Sequence, residues 1–108
     1  MRMMLIGGGL LLSVSAWAAD PDAGRSSYVA RCQSCHGAAG AGDGPAARAL
    51  PKPPRSFTTA EFWAGMTDDK LVAVITNGKP GSAMRGFPLN ETQRADLVAY
   101  LRSLEPKK

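Results

Sequence analysis

The octapeptide ARCQSCHG, residues 30–37, carries the most specific chemistry of this chain. It contains both cysteines and the only histidine among the 108 residues. On a helix, Cys35 stands three positions after Cys32 and His36 four positions after it, so the three side chains project from one face. We therefore expect the two thiols and the imidazole to act on the same ligand.

Covalent haem attachment accounts best for this spacing. Each thiol can add to one vinyl group of a haem, while the adjacent imidazole binds the iron through Nε2. The pattern Cys-x-x-Cys-His is typical of c-type haem attachment. On these residues alone, three alternatives stay open: a structural zinc site, a redox-active cysteine pair and a plain disulfide.

Each alternative lacks something that it needs. A structural zinc has four ligands, usually Cys and His, and two cysteines with one histidine exhaust the supply of this chain. A thioredoxin-like redox pair belongs in a βαβ setting, which the sequence does not predict. A disulfide between cysteines three positions apart would close a very small loop and constrain the unfolded chain little.

The first eighteen residues differ in composition from the rest. A positive charge at position 2 precedes the mostly apolar run 3–14, and Ala16-Trp17-Ala18 supplies the small residues of a signal-peptidase site. We predict a signal peptide over residues 1–18 and one domain over residues 19–108. An uncleaved membrane anchor is the alternative, although the apolar run is shorter than the roughly twenty residues of a spanning helix.

The remaining chain predicts an all-α fold with Gly/Pro-rich loops. We expect three main helices. The first covers residues 22–34, the second runs from a Thr67 N-cap to Asn77, and the last starts at an Asn90-to-Gln93 capping box. A short helical turn is predicted within residues 58–65. The segments between them contain most of the glycines and prolines, and no alternating pattern indicates a strand.

Charge excludes one class of function. The formal net charge is only +4, and no basic run interleaved with aromatic residues is present. We therefore expect no nucleic-acid partner. A domain of this size has a thin core and often needs a disulfide, a metal or a cofactor for stability.

These features together resemble the class I cytochromes c of small bacterial periplasmic type. The resemblance rests on CQSCHG, a methionine in the loop before the last helix, and the terminal LVAYLRSL helix. Gly24 and Tyr28 match the positions where the family crosses its first and last helices, and Leu97 and Tyr100 match the last helix. The resemblance implies a cytochrome c fold wrapped around one haem, bound covalently through Cys32 and Cys35, with His36 as an axial ligand.

The resemblance also implies the other haem contacts. Met84 lies in a Gly/Pro loop and matches the second axial ligand, although Arg85 follows where the family frequently has proline. Met66, the other methionine of the predicted domain, is instead spaced as a hydrophobic staple for the helix after Thr67. The Pro45 carbonyl is expected to accept a hydrogen bond from the second ring N–H of His36. The side chains of Arg55 and Trp63 are each expected to donate a hydrogen bond to a haem propionate.

The function that this resemblance implies is single-electron transfer in the periplasm, not enzymatic catalysis. The expected partners are a redox donor and a redox acceptor protein, with no stable membrane insertion after signal cleavage, and the expected oligomeric state is a monomer. Two alternatives stay open: a haem enzyme or sensor with an open distal site, and a dedicated haem subunit of a dehydrogenase or reductase complex.

Overall fold

The computed structural model describes residues 18–107, which form helices and loops without a β-strand. The helices are α1 (Pro21–Arg31), α2 (Gln33–His36), α3 (Ala60–Trp63), α4 (Asp68–Asn77) and α5 (Glu91–Arg102), with a 3₁₀ helix over Pro45–Ala49. The predicted all-α architecture is confirmed, with α1, α4 and α5 as the main helices. Except for Ala18, the predicted signal peptide lies outside the described residues.

Helix α1 begins with local capping and ends at the cysteine pair. The Asp20 side chain accepts from the backbone N–H of Asp22 at 2.9 Å, and Pro21 occupies the first helical position. The helix predicted over residues 22–34 is divided at Cys32, whose φ of −117° departs from helical geometry. The chain resumes as α2, and the His36 amide donates to the Cys32 carbonyl at 2.9 Å.

The crossing of α1 over α5 is the tightest contact of the fold. A Cβ atom added at Gly24 would lie 1.9 Å from the carbonyl oxygen of Asp96, so only glycine allows this approach. On either side of the crossing, Tyr28 is 0% exposed and Leu97 is 1% exposed. This contact fixes α1, and therefore the cysteine pair at its end, against the last helix.

The predicted caps of the other two main helices are confirmed. Thr67 Oγ1 accepts from the Lys70 amide at 3.2 Å, and Asn90 and Gln93 exchange both hydrogen bonds of a capping box. Helix α4 ends at Asn77 and is capped by Gly78, whose φ of +73° is in the region that favours glycine.

A small apolar core lies between these helices and the loops that cover them. Its buried members are Tyr28, Phe57, Phe62, Trp63, Leu71, Ile75, Leu89, Leu97, Val98 and Leu101. Cys32 and Met66 pack against this cluster from positions that are only partly buried. Within residues 18–107, no helix has the length and apolar character needed to cross a lipid bilayer.

Candidate functional site

Both cysteines lie on one helical turn and carry free thiols. The Cys35 amide donates to the Cys32 carbonyl at 3.2 Å, and both side chains are half-buried. Burial raises the pKa of the Cys32 thiol to about 11, with a smaller opposing effect from Arg31. Cys32 and Cys35 therefore lie close together, and neither thiol forms a disulfide.

The His36 imidazole is held at its edge and on its face. Its Nδ1 lies 2.9 Å from the carbonyl oxygen of Arg55, and its ring stacks on Phe57 with centroids 4.6 Å apart. Burial lowers the pKa of His36, and the hydrogen bond to Arg55 opposes that shift. A neutral imidazole that donates from Nδ1 presents the lone pair of Nε2, which is the form that binds a metal.

The predicted acceptor for this ring, the Pro45 carbonyl, is not the one that the structure shows. Pro45 is the first residue of the 3₁₀ helix, in which each carbonyl is directed along the axis toward the amide three residues later. The loop containing Pro45 does pack against the cysteine turn, because the Gly44 amide donates to the Cys35 carbonyl at 3.0 Å. The acceptor is corrected to Arg55, which contributes a backbone atom.

The two predicted propionate donors occupy different environments. The indole N–H of Trp63 donates to the Phe57 carbonyl at 2.8 Å, and its side chain is buried. The Arg55 guanidinium is exposed and lies over the Phe62 ring, 5.0 Å from the centroid. In this structure Trp63 thus already has an acceptor, and the propionate contacts of both side chains stay predictions.

Met84 lies in a loop that backbone hydrogen bonds close. Its carbonyl accepts from the Lys79 amide at 3.0 Å, and its amide donates to Ser82 Oγ at 3.2 Å. Gly78 and Arg85 form an isolated antiparallel bridge across the base of the loop. These bonds order the loop although Arg85 stands where proline is frequent, and the ligand role of Met84 stays a prediction.

Two arginines flank one aromatic ring beside the site. The guanidinium carbon atoms of Arg31 and Arg85 lie 6.0 Å and 5.9 Å from the Phe87 centroid. Arg31 directly precedes Cys32 and Arg85 directly follows Met84, and neither arginine forms a salt bridge within residues 18–107. We call Arg31, Arg85 and Phe87 the cationic patch.

Sequence reasoning missed Phe57, the Arg55 carbonyl and the cationic patch. A backbone carbonyl has no signature in the sequence, and Arg55 lies nineteen positions from His36. Phe57 follows a proline-rich segment without helical or strand periodicity, so no pattern predicts which ring it meets.

The donor set fits a covalently held haem. Two unbridged thiols and an imidazole whose pKa is lowered by burial share one turn, and Phe57 and the adjoining core supply apolar neighbours. In the described part of the chain, no three His, Cys, Asp or Glu side chains group closely enough to hold a metal ion. A four-ligand zinc site among these residues therefore lacks its ligands.

Comparisons with known proteins agree with this geometry. A family model described as cytochrome c matches residues 21–105. Cytochrome c55X of Stutzerimonas stutzeri is 36% identical over 114 aligned positions, which cover 98% of this chain and 91% of that protein.

Two solved structures share the fold. A chain of the Kuenenia stuttgartiensis reducing HAO-like protein complex Kustc0457/Kustc0458 is 32% identical with a TM-score of 0.68, over 78% of this chain and 42% of that one. The KustC0563 c-type cytochrome is 27% identical with a TM-score of 0.65, over 76% and 96% of the two chains. The present chain thus spans less than half of the first of these. By its family match, its relatives and its cysteine-histidine turn, this chain belongs to the cytochrome c family.

Proposed function

We propose that the protein is a periplasmic monohaem c-type cytochrome that carries single electrons between redox partners. Membership of the family implies covalent haem c, and that group, when bound, supplies a one-electron iron couple. The observation that carries the proposal is the double support of His36, by the Arg55 carbonyl and the Phe57 ring. A ligand held in this way is prepared to bind iron without rearrangement.

The proposed roles of the residues follow from their chemistry. Cys32 and Cys35 hold the haem through thioether bonds, His36 supplies one axial ligand through Nε2, and Met84 supplies the other. His/Met ligation is the pairing that raises the potential of cytochromes c. With both axial positions filled by the protein, electron transfer needs no substrate at the iron, which favours a carrier over a haem enzyme or sensor.

The cationic patch supports a protein partner with an acidic surface. Two guanidiniums without salt bridges in the described chain lie beside the residues proposed to hold the haem, and complementary charge accelerates association and orients docking. The periplasmic location rests on the composition of residues 1–18.

A second candidate function is suggested by one of the structural relatives. That relative is a chain of a reducing HAO-like protein complex, and it is longer than this chain. A dedicated haem subunit of a larger redox complex would use the same cysteine-histidine turn. It would differ from a free carrier in forming a stable complex that survives purification.

The proposal is tested on protein exported together with the haem-attachment machinery. Haem should stay on the chain in denaturing gels, the visible spectrum should cycle reversibly between oxidised and reduced forms, and the reduced protein should bind carbon monoxide poorly. Ready binding of carbon monoxide would favour an open-site enzyme or sensor. Size-exclusion chromatography of the native extract separates a free carrier from a subunit, because only the subunit would elute with its partners.

A further inference from the structure

We propose that Phe57 is a positioning residue that sets the plane of the His36 imidazole and thereby the electronic state of the iron that it binds. The inference deepens the proposed function and rests on it, since its readouts require haem iron bound to His36. It follows from three features of the structure: the stacked ring, the direction of the hydrogen bond, and the rigidity of Phe57.

The hydrogen bond alone does not fix the imidazole. A single bond from Nδ1 to the Arg55 carbonyl, 2.9 Å long, sets the direction of one ring edge. It restricts the tilt of the ring plane only loosely, because a carbonyl oxygen accepts hydrogen bonds over a broad range of directions. The Phe57 ring lies against the face of the imidazole, with centroids 4.6 Å apart and an interplanar angle of 24°. That distance is within the range of offset stacking, so the contact both attracts the ring and blocks rotation.

Phe57 can set a plane only if it is itself held. Its amide donates to the Gly40 carbonyl at 2.7 Å, and its carbonyl accepts from the Trp63 indole at 2.8 Å. Phe57 as a whole is 7% exposed, and its ring meets Phe62 edge-on, with centroids 5.0 Å apart. The backbone is therefore bonded in both directions, and the side chain is enclosed by the core.

The plane of an axial imidazole matters because its π orbitals overlap unequally with the iron d orbitals that lie along and across that plane. Partners outside the first coordination sphere tune a metal by fixing such orientations. Removing the Phe57 ring should therefore alter the iron signal, not only the stability of the fold.

The experiment compares Phe57→Leu with Val98→Ala in the haem-loaded protein. Val98 is the control, because Phe57 and Val98 are 7% and 6% exposed in the same core, whereas only Phe57 stacks on His36. Electron paramagnetic resonance of the ferric protein reports the ligand plane, and denaturant unfolding reports stability. We expect both variants to lose a similar free energy of unfolding. Only Phe57→Leu should shift the g values and broaden the resonance lines.

Equal g values in wild type and Phe57→Leu, or equal shifts in both variants, would overturn the inference. Phe57→Met retains side-chain volume without a flat ring and serves if Phe57→Leu does not load haem. It should shift the g values as well, and an unshifted signal would likewise count against Phe57. The proposed function is tested separately by the wild-type spectrum, so wild-type His/Met features with unresponsive variants would remove only this inference.

Discussion

Replacing Gly24 with alanine tests the helix crossing that positions the haem-attachment turn. The new Cβ would lie 1.9 Å from the Asp96 carbonyl oxygen, whereas Cβ atoms essentially never approach a heavy atom within 3.0 Å. Helices α1 and α5 must therefore separate by about 1.1 Å at this point, which is the difference between the two distances. A backbone carbonyl inside a helix cannot rotate away, so the whole crossing has to yield.

The expected cost can be estimated from two unfavourable effects and one favourable effect. Overpacking a close contact costs about 1–3 kcal/mol, and a clash with backbone belongs at the upper end. A gap of this size also weakens the dispersion contacts of the buried Tyr28 and Leu97 beside the crossing. Alanine favours the helix over glycine by about 1 kcal/mol, which offsets part of the loss. We expect a net decrease of about 2 kcal/mol in the free energy of unfolding.

Urea unfolding of the haem-loaded protein, followed by far-ultraviolet circular dichroism, measures this change. With an m-value of about 1–3 kcal/mol/M, the midpoint should fall by roughly 0.7–2 M. Ser26→Ala is the control, because Ser26 is exposed on the same helix and its replacement should stay within about 0.5 kcal/mol of wild type. A Gly24→Ala protein as stable as wild type would refute the close crossing.

Two further predictions concern charge and protonation. Two variants alter the cationic patch, Arg31→Gln and Arg85→Gln. Each should exchange electrons with a carboxylate-coated electrode more slowly than wild type at low salt, whereas the control Arg25→Gln should not. The difference in rate from wild type should vanish at high ionic strength. An effect as large for Arg25→Gln would argue against a local patch. In the haem-free Cys35→Ala chain, alkylation of Cys32 should keep accelerating with pH up to about 11, since burial raises its pKa from 9.0. A plateau near pH 9 would show that the thiol is exposed.

The features that sequence predicted best are those with local causes. The Thr67 cap and the Asn90–Gln93 capping box depend on residues three positions apart, so their signals are complete within a short window. The cysteine-histidine turn is recognisable for the same reason. Its interruption at Cys32 was not predicted, because the backbone angle there carries no mark in the residue pattern.

The contacts that the sequence did not predict join distant segments. His36 meets the Arg55 carbonyl only because the loop after Gly37 returns the chain to the cysteine turn, where the Phe57 amide bonds to the Gly40 carbonyl at 2.7 Å. Such a return depends on glycine geometry and core packing over many residues. The sequence therefore indicated that His36 could bind a metal, but not which residues orient its ring.

The central claim, His/Met ligation by His36 and Met84, is tested most directly by the absorption spectrum of Met84→Ala beside that of Met66→Ala. Loss of Met84 should abolish the far-red sulfur-to-iron charge-transfer band of the ferric protein and let the reduced protein bind carbon monoxide. Met66 is partly buried against the core, so Met66→Ala should keep the spectrum and lose only about 1–3 kcal/mol of stability. An unchanged spectrum in Met84→Ala would contradict the claim.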